Sequence, residues 1–339
     1  MQHGSLPIDP STGRPDYSSI DASPISMVLT SAIRRLLIEE VGVDRVPHIP
    51  HRKFEGVLNP VREVNDMKGT ARQVQVRAKR VFAGILPELG IGWVIPIWRK
   101  AIQPIAPQWM SNYAFVLVFT TLFPWLMGPM KGVDHVEVEV PEGLRKVTFN
   151  LLPERLSVPQ SVKAERCRFV ETTGCASVCV NTCKVPSQEW LLEDFGMPMH
   201  IQPNYDDFSC KWEFSKPAPP LEEDEAVMVP CFSQCPSEYK GEKDAVRQRM
   251  RARMGVGIEG GVDKYTGETL EQIASRASAE AKADAAAPSP QGSAANDASL
   301  AVRLDSLRDA QSGGKCWSVD DDRLDLVTDM AKVTAVGAK

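Results

Sequence analysis

From Ala101 to Met130 the chain runs without a single charged residue. Such a stretch can be satisfied only by a protein core or by lipid. Its centre, YAFVLVFTTLFPWLM, is apolar almost throughout, yet Pro104, Pro107, Pro124 and Pro129 cut it, because proline removes a helix donor and its ring collides with the preceding turn. The longest clean helix is then Asn112 to Phe123, roughly 18 Å at about 1.5 Å per residue, against a hydrocarbon core of roughly 30 Å. The segment is therefore expected to pack or to lie at an interface, not to span a bilayer. Trp93, Trp98, Trp109 and Trp125, four of the seven tryptophans, gather here, which suits a large apolar pocket, an interfacial lipid-facing surface or a buried pair of helices.

The flanks give the organisation. The 339 residues suffice for two average domains or for one domain with extended ends. Residues 1–22 read as a disordered leader. They carry acidic residues and no apolar run, so neither a secretory signal nor an organellar transit peptide is expected in them. Ser23 as N-cap, Pro24 at the first helical position and Gly42 as a stop bracket one helix. A second is expected from Pro60 to about Gly84. Residues 23–130 thus form a helical, membrane-facing region. Thirteen basic residues stand against seven acidic ones between Thr30 and Lys100, either a solvated face or a surface for anionic headgroups. With a net charge of −5 overall, nucleic acid is not an expected partner.

After Lys131 the period changes. HVEVEV alternates over His135 to Val140, PEGLRK supplies a turn and VTFNLL resumes, which reads as a hairpin. CRFVE and HIQPNYDDFSCKWEF read as further short strands. The fold class is α+β, with N-terminal helices followed by short antiparallel strands around a cysteine-bearing helix. Residues 131–240 form this cysteine-rich domain, and 241–339 a low-complexity, largely disordered tail.

Seven of the eight cysteines fall between Cys167 and Cys235. Cys175, Cys179 and Cys183 are four apart, so on an α-helix they form one stripe with successive thiols about 6 Å apart along the axis. Three cysteines on a straight helix cannot share one zinc, whose sulfurs must come within roughly 4 Å of each other. An iron-sulfur cluster tolerates wider spacing. It could take two neighbours of the stripe, or all three if Gly174 bends the chain so that Cys175 precedes the first turn. Cys210, Cys231 and Cys235 are the candidates to complete the set. Redox disulfides and plain structural thiols fit the same spacing. Cys167, placed in a strand, and Cys316, in the tail, are set aside. The five histidines have no ligand-like spacing, and no catalytic acid, base or nucleophile is assigned.

The stretch from CRFVETTGCASVCVNTCKVPSQ through PNYDDFSCKWEFSKPAPPLEEDEA, with PCFSQC after it and LFPWLMGP before it, resembles the C-terminal domain of the plastid β-carotene isomerases that open strigolactone biosynthesis. The resemblance covers roughly residues 110–236. It implies an iron-dependent, reversible and non-oxidative isomerase that converts all-trans-β-carotene to the 9-cis form, a first step towards strigolactone-type apocarotenoids. It further implies a chloroplast location, β-carotene or another C40 carotenoid as partner, and peripheral membrane lipid as the phase that supplies it. Under this resemblance the thiols at Cys175, Cys179, Cys183, Cys210, Cys231 and Cys235 become metal ligands, with iron as the cofactor, in an iron-sulfur cluster. The alternative is a lipid-associated iron-sulfur electron-transfer or metal-binding module without carotenoid turnover.

Overall fold

The computed structural model describes residues 6–10, 13–67, 71–147, 151, 153–229, 248–249, 251–252 and 255–286. Helix α1 (Ser18–Asp21) is a single turn with Ile20 buried. Arg168 sits between the rings of Tyr17 and Phe54 and donates to both Asp21 carboxylate oxygens at 2.6 and 2.8 Å. Part of the expected disordered leader is thereby held against the core. Helix α2 (Pro24–Val41) starts and stops where its punctuation requires, with Pro24 in the first turn and Gly42 left-handed at φ 84°.

Where one helix from Pro60 to Gly84 is expected, there are two, α3 (Glu55–Asp66) and α4 (Ala71–Glu88). Pro60 lies inside α3 with its ring in the core, so it does not mark a start. Six of the thirteen basic residues are in internal ion pairs: Arg34 with Asp44, Arg35 with Glu88, Arg45 with Glu63, Arg72 with Glu189, Lys79 with Glu189 and Glu193, and Arg80 with Glu40. Arg34 is fully buried. Most of these cations tie helices together and do not form a lipid-facing field.

Helix α5 (Val94–Ile97) runs into a wide π turn, Trp98–Ile102. Helix α6 (Gln108–Leu122) follows, then the single turn α7 (Pro124–Met127), which is entirely buried. No helix among the described residues is long and apolar enough to cross a membrane. Strand β1 (Met130–Glu139) pairs with β2 (Arg155–Ala164), with α8 (Glu142–Val147) between them. The expected hairpin forms with a later partner: PEGLRK is helical, and of VTFNLL all but Val147 and Leu151 lie outside the described residues.

CRFVE, expected as a strand, is helix α9 (Arg168–Thr173) with Cys167 as its N-cap residue. A five-residue stretch with only Cys167, Phe169 and Val170 apolar does not distinguish a short buried helix from a strand. Next comes one continuous helical run made of α10 (Ala176–Cys179), a π turn at Val180–Lys184, α11 (Val185–Trp190) and a second π turn at Leu191–Phe195. We call it the cysteine helix. The first of its wide turns has a cause in the sequence. Pro186 cannot donate to the Thr182 carbonyl and its ring presses on that group, and opening the turn relieves the clash.

Strands β3 (Met199–Pro203) and β4 (Cys210–Phe214) complete a four-stranded antiparallel sheet of order β1-β2-β4-β3. Helix α6 lies on β2, with Asn112 bonded to Gln160 and to Ser215. The cysteine helix is wedged between α4 on one side and β3 on the other. One apolar core runs through all of these layers, from Ile20 to Phe214. The packed region also reaches past its expected end. Ala226, Val227 and Met228 are buried, β5 (Ile258–Glu259) and β6 (Val262–Asp263) form a small hairpin, and α12 (Leu270–Ala286) begins beside it. The fully buried Arg251 pairs there with Asp263 at 2.9 Å and donates to the Met228 carbonyl.

Candidate functional site

Gly174 is left-handed at φ 59° and Cys175 is extended at φ −145°, ψ 117°. Cys175 therefore lies ahead of the first helical turn, the bend that the sequence makes possible. Cys179 ends α10 and Cys183 lies in the π turn, both facing the core. From β4, Cys210 approaches the same region, and Cys167 arrives from the start of α9. Cys167, Cys179, Cys183 and Cys210 are all buried, Cys175 is half-buried, and none of the five is in a disulfide. The four buried thiols are close enough for their charges to act on one another.

The sequence set Cys167 aside on a strand assignment. The structure places it in the cluster, its backbone N–H donating to the Phe208 carbonyl at 2.6 Å. Only its position eight residues before Cys175 could have signalled this. Cys231 and Cys235 lie outside the described residues. Among the described residues, no three His, Cys, Asp or Glu side chains converge closely enough to hold a metal ion. As placed, the thiols are neighbours and not a coordination sphere.

Burial dominates their chemistry. It pushes Cys167 up to about 11 and Cys179 up to about 12, and raises Cys183 and Cys210 well above the ordinary thiol range. Against that, the Tyr205 hydroxyl and the Lys184 ammonium each favour the Cys179 thiolate. Trp212 donates its indole N–H to the Cys210 sulfur at 3.2 Å. The thiols are thus neutral, poor nucleophiles unless something replaces their protons.

Two polar systems brace the cysteine helix. Lys184 is fully buried, paired with Asp224 at 2.7 Å and donating to the Ile201 carbonyl. His200 stands beside Asp224 and Glu213. On the opposite side, Gln75 donates to Asn181, Asn181 to Ser177, and Ser177 to Asn65, a buried ladder from α4 through the cysteine helix to α3. A small cavity of about 30 Å³ touches Cys183 and Thr182 and is otherwise lined by apolar side chains, among them Ile33, Val57, Ala78, Phe82 and Phe169.

The C-terminal end of the cysteine helix holds the uncharged segment in place. Trp98 donates to the Phe195 carbonyl, Arg99 to Glu193 and Gln103 to Gly196. Trp98 meets Phe115 edge-on at 5.2 Å, and Phe115 continues through Phe119 to Trp212. An aromatic core thus links this surface to Cys210.

Residues 125–223, which contain α7, the four-stranded sheet and all five described cysteines, match the family described as "Beta-carotene isomerase D27-like, C-terminal". Over these residues the chain is similar to a D27-like C-terminal domain. The chain is 32% identical over 151 residues to the protein named "Beta-carotene isomerase D27, chloroplastic" of Medicago truncatula, covering 44% of this chain and 54% of the relative. It is 34% identical over 131 residues to the protein of the same name from Arabidopsis thaliana, covering 39% of this chain and 44% of the relative. The chain spans about half the length of the curated relatives it matches. No solved structure matches it. Within the D27-like domain, the thiol cluster is the feature with chemistry to offer.

Proposed function

We propose that the chain is a carotenoid cis/trans isomerase that acts on β-carotene, interconverting the all-trans and 9-cis forms without oxidation, in the chloroplast. The observation that carries this is the place of the D27-like match: it falls on the elements that gather the cysteines. The 9-cis product would serve strigolactone-type apocarotenoid synthesis. Isomerising a conjugated C=C bond requires its bond order to fall transiently, and no acid/base pair is demanded for that.

Iron is part of the proposal, as an iron-sulfur cluster held by four thiolates drawn from Cys175, Cys179, Cys183, Cys210, Cys231 and Cys235. The described thiols alone do not make up such a site. Iron would supply one-electron or Lewis-acid chemistry to the polyene, while the buried thiols surrender their protons on binding it.

The substrate has no polar group, so apolar walls must hold it. The cavity at Cys183 is about 30 Å³, far below the roughly 300–1,000 Å³ of a ligand pocket. A polyene reaches Cys183 by that route only when α2–α4 part from the cysteine helix.

The test is anaerobic incubation with all-trans-β-carotene in detergent micelles, with products separated by isomer-resolving chromatography. The expected result is a cis/trans equilibrium with no change in mass. Cleaved apocarotenals would sink the reading. Metal analysis of the same preparation should find iron, lost in Cys179→Ser. Iron with a reversible one-electron couple but no isomerisation would favour the electron-transfer module.

A further inference from the structure

Helix α6 is apolar on both of its sides. Phe115, Val116 and Phe119 face the core, and Met110, Leu117 and Val118 face outward, exposed. The outward set, spaced seven and eight residues from Met110, forms one stripe along the helix. A helix apolar all round is ordinarily enclosed on every side, so the outer face of α6 has no partner within the described chain. Beside it stand the turns between α4 and α6. Trp93 is 60% exposed and Ile105 is 82% exposed, with Ile97 also outside. Of the fifteen large apolar side chains exposed among the described residues, eight fall between Ile91 and Val118, so exposed apolar surface is concentrated in this segment of the chain.

Its charge decides what fits it. From Leu89 to Val133 there is no acidic residue, and the bases are Arg99, Lys100 and Lys131. Arg99 and Lys100 are exposed on the π turn at the edge of the patch. The acidic neighbour across the turn, Glu193, is paired with Lys79 at 2.7 Å, and protruding aromatic and aliphatic tips with exposed cations at the rim are the pattern of a surface that sinks into the headgroup boundary.

We propose that the outer face formed by the turns around Trp93, Ile97 and Ile105 and the α6 stripe docks the protein on a lipid bilayer bearing anionic headgroups. The protein lies on the bilayer and does not cross it. The bonds from Trp98, Arg99 and Gln103 to the end of the cysteine helix make the docked surface rigid with the thiol cluster. This position would let a lipid-dissolved polyene approach the domain, and that link to turnover rests on the proposed isomerase reading; the docking itself does not. The sequence places the lipid-facing stretch at Ala101–Met130, whereas the structure moves it forward, because Pro124–Met127 is buried.

The experiment is flotation of the full chain with vesicles of neutral lipid and of neutral lipid mixed with anionic lipid. The native chain should float with the mixed vesicles, and less so at about 0.5 M salt, where screening shortens to a few ångströms. A Trp93→Glu, Ile105→Glu variant should lose at least tenfold in binding, with unchanged far-ultraviolet circular dichroism and melting temperature, since both side chains are exposed. Arg99→Gln, Lys100→Gln should lose about fivefold per charge, from about 1 kcal/mol for each base near the surface. A native chain that does not float, or acidic variants that bind as well as native, would overturn the proposal. So would a concentration-dependent dimer, abolished by the same variants, with no vesicle binding, because the face would then join two copies. Turnover in micelles separates the two readings. Vesicle binding without micellar isomerisation removes the isomerase and leaves the docking.

Discussion

At the scale of single residues, burial sets the behaviour of the cluster. Among the described cysteines only Cys175 is partly exposed, and the thiolate is the reactive form. In metal-free protein, iodoacetamide at pH 8 should modify Cys175 and leave Cys167, Cys179, Cys183 and Cys210 untouched until unfolding, as read by peptide mass mapping. Rapid native modification of Cys179 would contradict the burial. His200 gives the pH dependence. Burial, followed by the Lys184 cation, holds it below its ordinary value, against the pull of Asp224 and Glu213 and with a further push from Lys216. The unfolded chain therefore takes up that proton first. The stability His200 contributes is complete above about pH 6.5 and is lost as pH falls through that value toward the folded one, at no more than about 1.4 kcal/mol per unit. Urea midpoints between pH 7 and 5 should fall more steeply for the native chain than for His200→Gln. Of this scale, the sequence revealed the stripe and the bend at Gly174, because both are local. Cys167 joining the cluster depends on how α9 turns, and the role of Lys184 on Asp224 forty residues away, so neither is visible in spacing.

At the scale of elements, the cysteine helix is specified by polar groups as much as by apolar ones. Asn181 is fully buried between Gln75 and Ser177. Asn181→Ala should cost about 1–3 kcal/mol, because it strands buried donors and acceptors that water cannot reach. Gln75→Leu combined with Asn181→Leu should recover part of the loss, since removing both partners leaves fewer orphans. Denaturant unfolding of the two variants measures the difference, and equal destabilisation of both would show that packing, not the hydrogen bond, is what matters there. Gly196 marks the other end of the helix, left-handed at φ 65°, where an added Cβ would collide with the Gln103 amide. Elements with strong local punctuation were legible, as α2 and the alternating β1 show. The π turns were not. The one at Val180–Lys184 answers Pro186 through the geometry of the preceding turn, and a four-residue spacing reads the same on either helix. Nor was the pairing of Arg72 and Lys79 with Glu189, since a cation's partner 110 residues away leaves no trace in a charge count.

At the scale of the molecule, the D27-like match covers residues 125–223, but the core does not stop there. Ile33, Val57, Val81 and Phe82 of the N-terminal helices, with Phe115 and Phe119 of α6, belong to the same apolar cluster as Cys179, Leu191 and Trp212. Helix α6 covers the face of β2, and α4 lies along the cysteine helix, joined to it by the Arg72–Glu189 ion pair and the Gln75–Asn181 bond. Cutting the chain at Trp125 would uncover both faces at once, removing walls around the thiol cluster and taking Arg72 and Lys79 from Glu189 and Gln75 from Asn181. Each fully buried large apolar side chain is worth about 1.5–3 kcal/mol, and a domain's total stability is only about 5–15 kcal/mol. Losing the partners of even six such side chains, about 9–18 kcal/mol if all were fully uncovered, is therefore as large as what the fragment has in reserve. Residues 125–223 expressed alone should be insoluble or should lack a near-ultraviolet circular dichroism signal, whereas residues 1–286 should unfold in one cooperative transition. A soluble 125–223 fragment with native-like aromatic dichroism and a sharp melt would show that the sheet and the cysteine helix close their own core, and that the N-terminal helices are a separable layer.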